Sequence, residues 1–329
     1  MAAYKTLRAL KGGSLSSTTV IQLPDGETRV RKFISRSENR EYGLVRWQSQ
    51  VRRMQHLHTI LPDNAPAILE MGIDGPNFYY DIPFYKNSQN LFEYLSERGN
   101  AEAVDLFNKV LNIINVYTET EYGDVVGSFS VFFAEEVSDR LKRASSQLDG
   151  AFQSGFISNE ELSYIKAEIE ISVPKVDKVI FDASLLTIEE TFTHGNFTLE
   201  NALYQHESKK IILIDPYSET YTESVLGDYS QLLQSSVSLY ETVVAKGEGA
   251  IGPFFERPAD LVRTGVNDFG DCLTEYLSTF DDDKKKIINL FHAAQFVRMF
   301  PFKIEKTPRL AIYFLLHGLS IIKGIRLDA

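Results

Sequence analysis

The sequence predicts an α+β chain in two parts: a β-rich N-terminal lobe over residues 1–84 and a mainly helical lobe over residues 85–329. Three observations carry this expectation. Short β-branched and apolar stretches punctuated by turn residues fill the first part. Apolar residues at helical spacing dominate the second. The single strand pattern in the second part is "NALYQ" followed by "KKIILID", which reads as one hairpin set among helices. The chain has 329 residues, 43% hydrophobic and 24% charged, an ordinary composition with material for a sizeable core.

Taken in order, "YKTLRAL", "TTVIQL" and "ETRVRKFI" read as three antiparallel strands. "GGSLSS" joins the first two, and Pro24-Asp25-Gly26 gives strong turn chemistry for the second connection. A helix follows from about Glu38 to Leu61, ended by Pro62, with Val45, Trp47, Val51, Met54 and Leu57 as its buried stripe. "PAILEMGI" and "NFYYDIPFY" add two strands. Beyond them come the helical patterns "SQNLFEYLSERG", "AEAVDLFNKVLNIINVYTE" and "SVFFAEEVSDRLKRASSQL", then "NEELSYIKAEIEISVPKV" as far as its proline. After the hairpin, "DYSQLLQSSVSLYETVVA", "GDCLTEYLSTF", "DDKKKIINLFHAAQFVRMF" and "TPRLAIYFLLHGLSIIKGI" are helical, the last apolar enough for the core. Asp281 to Asp283 ahead of Lys284 to Lys286 suits a helix start.

Bulk properties exclude several functions. No run approaches the roughly 18 apolar residues of a membrane span. "MAAYKTLRALKGG" has no apolar signal core, so a cytoplasmic protein is expected. One cysteine, Cys272, rules out an internal disulfide framework and a cysteine-based zinc site. A net charge of −11 disfavours nucleic acid. Arg36, Arg40, Arg46, Arg52 and Arg53 read as a solvated helix face, with a phosphate-facing helix as the alternative. No Walker A loop and no G-x-S-x-G elbow occur. Asn196-Phe197-Thr198 matches a glycosylation acceptor, a match expected to be chance because no export signal is read. His292 and His317 lie in apolar helices and read as satisfied core residues.

The chemistry concentrates around "FTHGNFTLENALYQHESKKIILIDPY". A hairpin would bring the Asn201 amide oxygen and the Asp215 carboxylate together, two hard oxygen ligands suited to Mg²⁺ held mostly by nucleotide phosphates. His194, Gly195 and Asn196 form the loop just upstream, and Asn196 stands nearest an incoming hydroxyl. In the first lobe, Gly12, Gly13 and Ser14 can cover phosphates, and a flexible solvent turn explains them equally well. Strand alternation points Lys32 inward beneath that turn, where it could pair with phosphates; an exposed strand lysine is the alternative.

"HGNFTLEN" followed by "IDP" resembles the H-G-D-x-x-x-x-N … [IV]-D-[FP] signature of aminoglycoside phosphotransferase and choline kinase-like enzymes, above all the variant of phosphotransferases encoded with bacterial polysaccharide genes. The resemblance implies a protein-kinase-like bilobal fold, ATP and Mg²⁺ as cofactors, and a hydroxyl acceptor on a sugar or sugar-like metabolite. It implies that Lys32 holds phosphates, that Asp81, Ile82 and Pro83 form the hinge facing adenine, and that His194 braces the loop. Asn201 and Asp215 would bind the metal, and Asp228 would open the helix that braces the catalytic loop.

Two positions depart from that pattern. The family's partner for the strand lysine is a glutamate on the first helix; here Gln50, Glu41 and Glu38 compete for the place. The family has aspartate where this chain has Asn196, and an amide cannot accept the acceptor's proton. Three explanations stay open: a natural variant using another group, with Glu200, Glu219 and Glu223 as candidates; a non-catalytic, nucleotide-binding pseudokinase with a regulatory role; or a deliberate Asp-to-Asn replacement.

Overall fold

The computed structural model describes residues 4–10, 16–35, 40–119, 129–184, 186, 190–217, 223–258 and 260–325. The first strands are β1 (Lys5–Leu10), β2 (Ser16–Gln22) and β3 (Thr28–Ser35). The β2–β3 connection is the expected turn: Gly26 takes a φ of 89°, and the Asp25 carboxylate accepts the Glu27 N–H at 2.9 Å. Helix α1 (Arg40–Ile60) and strands β4 (Glu70–Asp74) and β5 (Asn77–Pro83) follow. The five strands form one antiparallel sheet in the order β1-β2-β3-β5-β4.

The sheet has two unlike faces because side chains alternate along each strand. On one face, Trp47 of α1 stacks on Phe78 with centroids 5.3 Å apart and donates its Nε1–H to the Tyr79 carbonyl at 3.0 Å. Val51, Tyr80 and Ile82 form the adjoining buried cluster. On the other face, the Arg31 guanidinium lies over the Tyr4 and Tyr79 rings at 4.5 and 4.0 Å. It donates to both carboxylate oxygens of Asp81 at 2.7 and 2.8 Å, the pairing that a buried charge requires.

Three expectations for this region change. Val45 is 58% exposed, not buried. It lies two residues from Trp47, about 200° around the helix, and so faces away from the sheet. The described arginines of α1 are not a solvated face: Arg53 is 2% exposed, Arg46 lies over the Tyr217 ring at 4.9 Å, and Arg52 alone of these three is exposed, while Arg36 and the Arg40 side chain lie outside the described residues. Positions 46, 50 and 53 share one helix face, and that face points inward. The fourth strand starts at Glu70 rather than Pro66, since proline cannot donate to a ladder.

A second sheet has three strands, β6 (Ser88–Asn90), β7 (Ala202–Gln205) and β8 (Lys210–Leu213), in that order. The hairpin was expected; β6, with its sequence Ser-Gln-Asn, carries no β signal and was not. Helices α2 (Leu91–Ser96) and α3 (Asn100–Thr118) follow β6. By contact density the chain divides into two compact units. The first comprises Met1–Tyr94, Lys109–Thr120 and His194–Glu219, so it holds both sheets and the loop around Asp215. The second comprises Leu95–Asn108, Glu121–Thr193 and Thr220–Ala329.

The second unit is helical in its described residues: α4 (Phe129–Phe133), α5 (Asp139–Gln153), α6 (Asn159–Ser184), α7 (Val225–Ser236), α8 (Tyr240–Lys246), α9 (Thr264–Ser278), α10 (Asp282–Val297), α11 (Phe300–Lys303) and α12 (Pro308–Gly324), with short π and 3₁₀ turns between. α6 continues through Pro174, where the sequence suggested a stop. Ile165, Ile169, Val176 and Val179 keep one buried stripe across the proline, and that burial offsets the roughly 3 kcal/mol cost of a lost backbone bond. Asp281 caps α10 as expected, accepting the Lys284 N–H at 2.8 Å. α10 and α12 pack so closely that a Cβ on Gly318 would stand 2.8 Å from Val297. His292 and His317 are satisfied core residues: each Nε2 meets the Ser238 hydroxyl, at 2.9 and 2.8 Å.

Candidate active site

The β7–β8 hairpin builds the site by register. Ala202 pairs with Leu213, so Asn201, just before β7, lies beside Ile214 and Asp215, just after β8. The Ile214 N–H donates to the Asn201 carbonyl at 2.9 Å and extends the ladder by one step. Asn64, from the α1–β4 connection, ties β8 down at both ends of its side. Its carbonyl accepts the Leu213 N–H at 2.6 Å, and its Nδ2–H donates to the Ile211 carbonyl at 2.8 Å. Gly195 takes a φ of 72°, the left-handed conformation that lets the His-Gly-Asn turn close. Asp215 also lies in that region, with a φ of 56°, a conformation uncommon for a residue with a Cβ.

Asn196 and Asn201 are linked through their amides. Asn201 Nδ2–H donates to the Asn196 carbonyl at 2.9 Å, and Asn196 Nδ2–H donates to the Asp215 carbonyl at 3.1 Å. The amide of Asn196 thus holds the backbone of Asp215, a bond that a carboxylate could not donate. Its Oδ1 and the Asn201 Oδ1 are left as acceptors.

His194 is wholly buried, and its ring packs on Phe197 with centroids 5.4 Å apart. Burial pushes its imidazole down to about 4, against the upward pull of the Asp215 carboxylate and of bonds to the backbone of Ile214 and Asn196. It is neutral at physiological pH. Its carbonyl accepts the Tyr217 N–H at 3.0 Å, which joins the two ends of the loop.

Lys32 points inward on β3 and its ammonium pairs with Asp215 Oδ1. The side chains are 8% and 33% exposed, so the lysine is enclosed while the carboxylate keeps an open side. Gln50 of α1 donates its Nε2–H to the same oxygen at 3.3 Å. Gln50 reaches this cluster; its two competitors for the place beside Lys32, Glu38 and the Glu41 side chain, lie outside the described residues, as do Gly12, Gly13, Ser14 and Glu219. Val30, two residues before Lys32 on the same side of β3, and Ile214 both pack against the buried cluster of Val51, Tyr80 and Ile82, so an apolar surface adjoins the charged cluster.

Asp81, Ile82 and Pro83 lie in β5, paired with Arg31, Val30 and Arg29. The Asp81 carbonyl accepts the Leu69 N–H at 2.8 Å, and its carboxylate is held by Arg31. Those two acceptors of Asp81 are held within the protein, and the chain leaves the ladder after Pro83. Phe84, Tyr85 and Lys86 then line a surface cavity of about 440 Å³ with Gly26, Glu27, Thr28 and Gln205. Glu223, a candidate proton acceptor, is buried in the second unit and accepts from the Thr193 hydroxyl at 2.6 Å. Asp228 is fully buried in the first turn of α7. Asn64, Val30 and Ile214 were missed from sequence; only the hairpin spacing and the alternation of β3 hint at them.

No protein-family model and no curated protein sequence matches the chain. Solved structures do. A protein named as a fructosamine-3-kinase from Haemophilus somnus is 15% identical, with a TM-score of 0.56 over 98% of this chain and 92% of that one. A choline kinase from Streptococcus pneumoniae is 11% identical, with a TM-score of 0.54 over 97% and 95%. A glucosamine kinase in complex with glucosamine, ADP and inorganic phosphate is 10% identical, with a TM-score of 0.52 over 97% and 93%. The chain has the protein-kinase-like α+β fold of these small-molecule kinases, as the "HGNFTLEN" and "IDP" resemblance implied.

Proposed function

We propose that this chain is an ATP- and Mg²⁺-dependent phosphotransferase acting on a hydroxyl of a sugar or sugar-like metabolite. The observation that carries the reading is the convergence of Lys32, Asn196, Asn201 and Asp215 in one hydrogen-bonded cluster beside the apolar surface of Val30, Ile82 and Ile214. Solved structures of the same fold, one of them with glucosamine and ADP bound, support the substrate class. A cytoplasmic setting, with its supply of ATP, suits this chemistry.

The donor set fits a small hard cation: an open-sided carboxylate on Asp215 and an amide oxygen on Asn201. Among the described residues no group of three or more His, Cys, Asp or Glu is arranged for a metal, so Mg²⁺ would take its remaining oxygens from nucleotide phosphates and water. When bound, it neutralises charge on the transferring phosphoryl group. Lys32 would hold phosphate oxygens as a second positive charge. The base would lie against Val30, Ile82 and Ile214, with backbone groups after Pro83 fixing its edge.

Asn196 orients rather than deprotonates. Its Nδ2–H is committed to the Asp215 carbonyl, and its Oδ1 would accept a hydrogen bond from the acceptor hydroxyl. Phosphoryl transfer depends chiefly on positioning and charge stabilisation, so the amide slows the reaction without abolishing it. The amide at position 196, which cannot take the acceptor's proton, also favours a second reading, a nucleotide-binding pseudokinase with a regulatory role. The test is Asn196→Asp with ATP turnover measured against a panel of sugars and amino sugars. A rise of roughly 10²-fold or more with one acceptor is expected. A variant that binds Mg-ATP and phosphorylates nothing favours the pseudokinase.

A further inference from the structure

Asp215 Oδ1 accepts from two donors at once, the Lys32 ammonium and the Gln50 Nε2–H. Gln50 is 1% exposed, and its Oε1 meets no donor among the described residues. Buried carbonyl oxygens are normally paired, and one left unpaired is costly. Its place on the inward face of α1, one turn before Met54, denies it water. Lys32, whose ammonium shares an oxygen atom with the Gln50 amide, is the strong donor next to it.

We propose that Gln50 is a positioning residue that hands Lys32 between two states of the site, an inference that rests on the phosphotransferase reading. In the state described, Lys32 neutralises Asp215, and the amide donates to the same oxygen. With a cation held at Asp215, the Lys32 ammonium would leave that oxygen. A half-turn of the Gln50 amide about its Cγ–Cδ bond puts Oε1 where Nε2 stood, and Oε1 accepts one of the three ammonium N–H groups. The other two remain for nucleotide phosphates. A carboxylate at position 50 would hold Lys32 at all times. An amide receives it only once Asp215 is taken, so the site stays self-neutralised until metal arrives. Only hydrogen bonds change hands; no proton is transferred.

The probe is Mn²⁺ alone, titrated by electron paramagnetic resonance into the full chain without nucleotide. Gln50→Met and Gln50→Glu are compared in the native and Lys32→Met backgrounds. Gln50→Met should weaken Mn²⁺ binding about 3- to 10-fold by removing the place Lys32 goes to, and should change it less than about 2-fold once Lys32 is absent. An amide serving merely as a donor to Asp215 predicts the opposite sign, because its removal would free the carboxylate. Gln50→Glu should strengthen binding about 10-fold by drawing Lys32 off Asp215, a gain at least about 3-fold smaller in the Lys32→Met background. Stronger or unchanged binding in Gln50→Met overturns the proposal. So does an undiminished gain for Gln50→Glu without Lys32, which also decides the matter if Gln50→Met fails to fold. Asp215→Asn must abolish the binding; if it persists, the metal sits elsewhere and the proposal fails. A native chain with no Mg-ADP-dependent thermal shift removes the phosphotransferase reading itself, whereas a normal shift with the wrong cycle removes only the role of Gln50.

Discussion

Two buried polar clusters, one in each unit, are built on opposite plans. In the second unit, Ser238 stands between His292 and His317, and the Nε2 of each ring meets its hydroxyl. Burial pushes His292 down to about 3 and His317 to about 4, so both rings are neutral. That cluster is uncharged and closed. In the first unit, Lys32, Gln50 and Asp215 bring two full charges together, leave Asp215 a third exposed and leave the Gln50 Oε1 without a partner among the described residues. A polar cluster that is satisfied by its own members acts as a strut. One that is left incomplete has valence for something else. The hairpin cluster is the incomplete one.

The contrast breaks most sharply at Asp215. In an Asn196→Asp background, Asp215→Asn should lower ATP turnover by roughly 10²- to 10³-fold in a coupled ADP assay, the usual cost of removing an electrostatic stabiliser. Ser238→Ala should leave the same turnover within about 2-fold. Its effect belongs to stability instead: it strands two buried imidazole nitrogens and should cost about 1–3 kcal/mol in urea unfolding, with the Mg-ADP thermal shift unchanged.

A gentler probe is pH. His194, His292 and His317 have native values of about 4, 3 and 4, each lowered first by burial. Unfolded histidine titrates near 6.5, so below that pH the unfolded chain binds more protons than the native one. Stability is therefore fully present above about pH 6.5 and is lost as pH falls towards 4, by up to about 1.4 kcal/mol per pH unit for each histidine. Urea unfolding from pH 7.5 to 5 measures the slope, and His317→Gln should make it shallower.

Much of this organisation was legible in the sequence, and the exceptions have physical causes. The hairpin showed because "ALYQ" and "KIIL" are apolar strands joined by turn residues, and its register alone sets Asn201 beside Asp215. Strand β6 did not show because a three-residue polar strand is made by its partner and not by its own composition. Pro174 looked like a stop because a local rule ignores the buried stripe on both sides of it. The arginines of α1 looked solvated because charge was counted without phase, yet Arg46 and Arg53 share the inward face with Gln50. Lys32 was expected to point inward; that it would meet Asp215 directly needed the third dimension, since 183 residues separate them.

The central claim is that the Lys32–Asp215 cluster is a metal–nucleotide site. Calorimetric titration of Mg-ADP into the native chain and into Asp215→Asn tests it most directly. The account predicts saturable one-site binding by the native chain, weakened at least about 10-fold when EDTA removes the metal and equally weakened by Asp215→Asn. Binding that is absent from the native chain, or unchanged in Asp215→Asn, would contradict it.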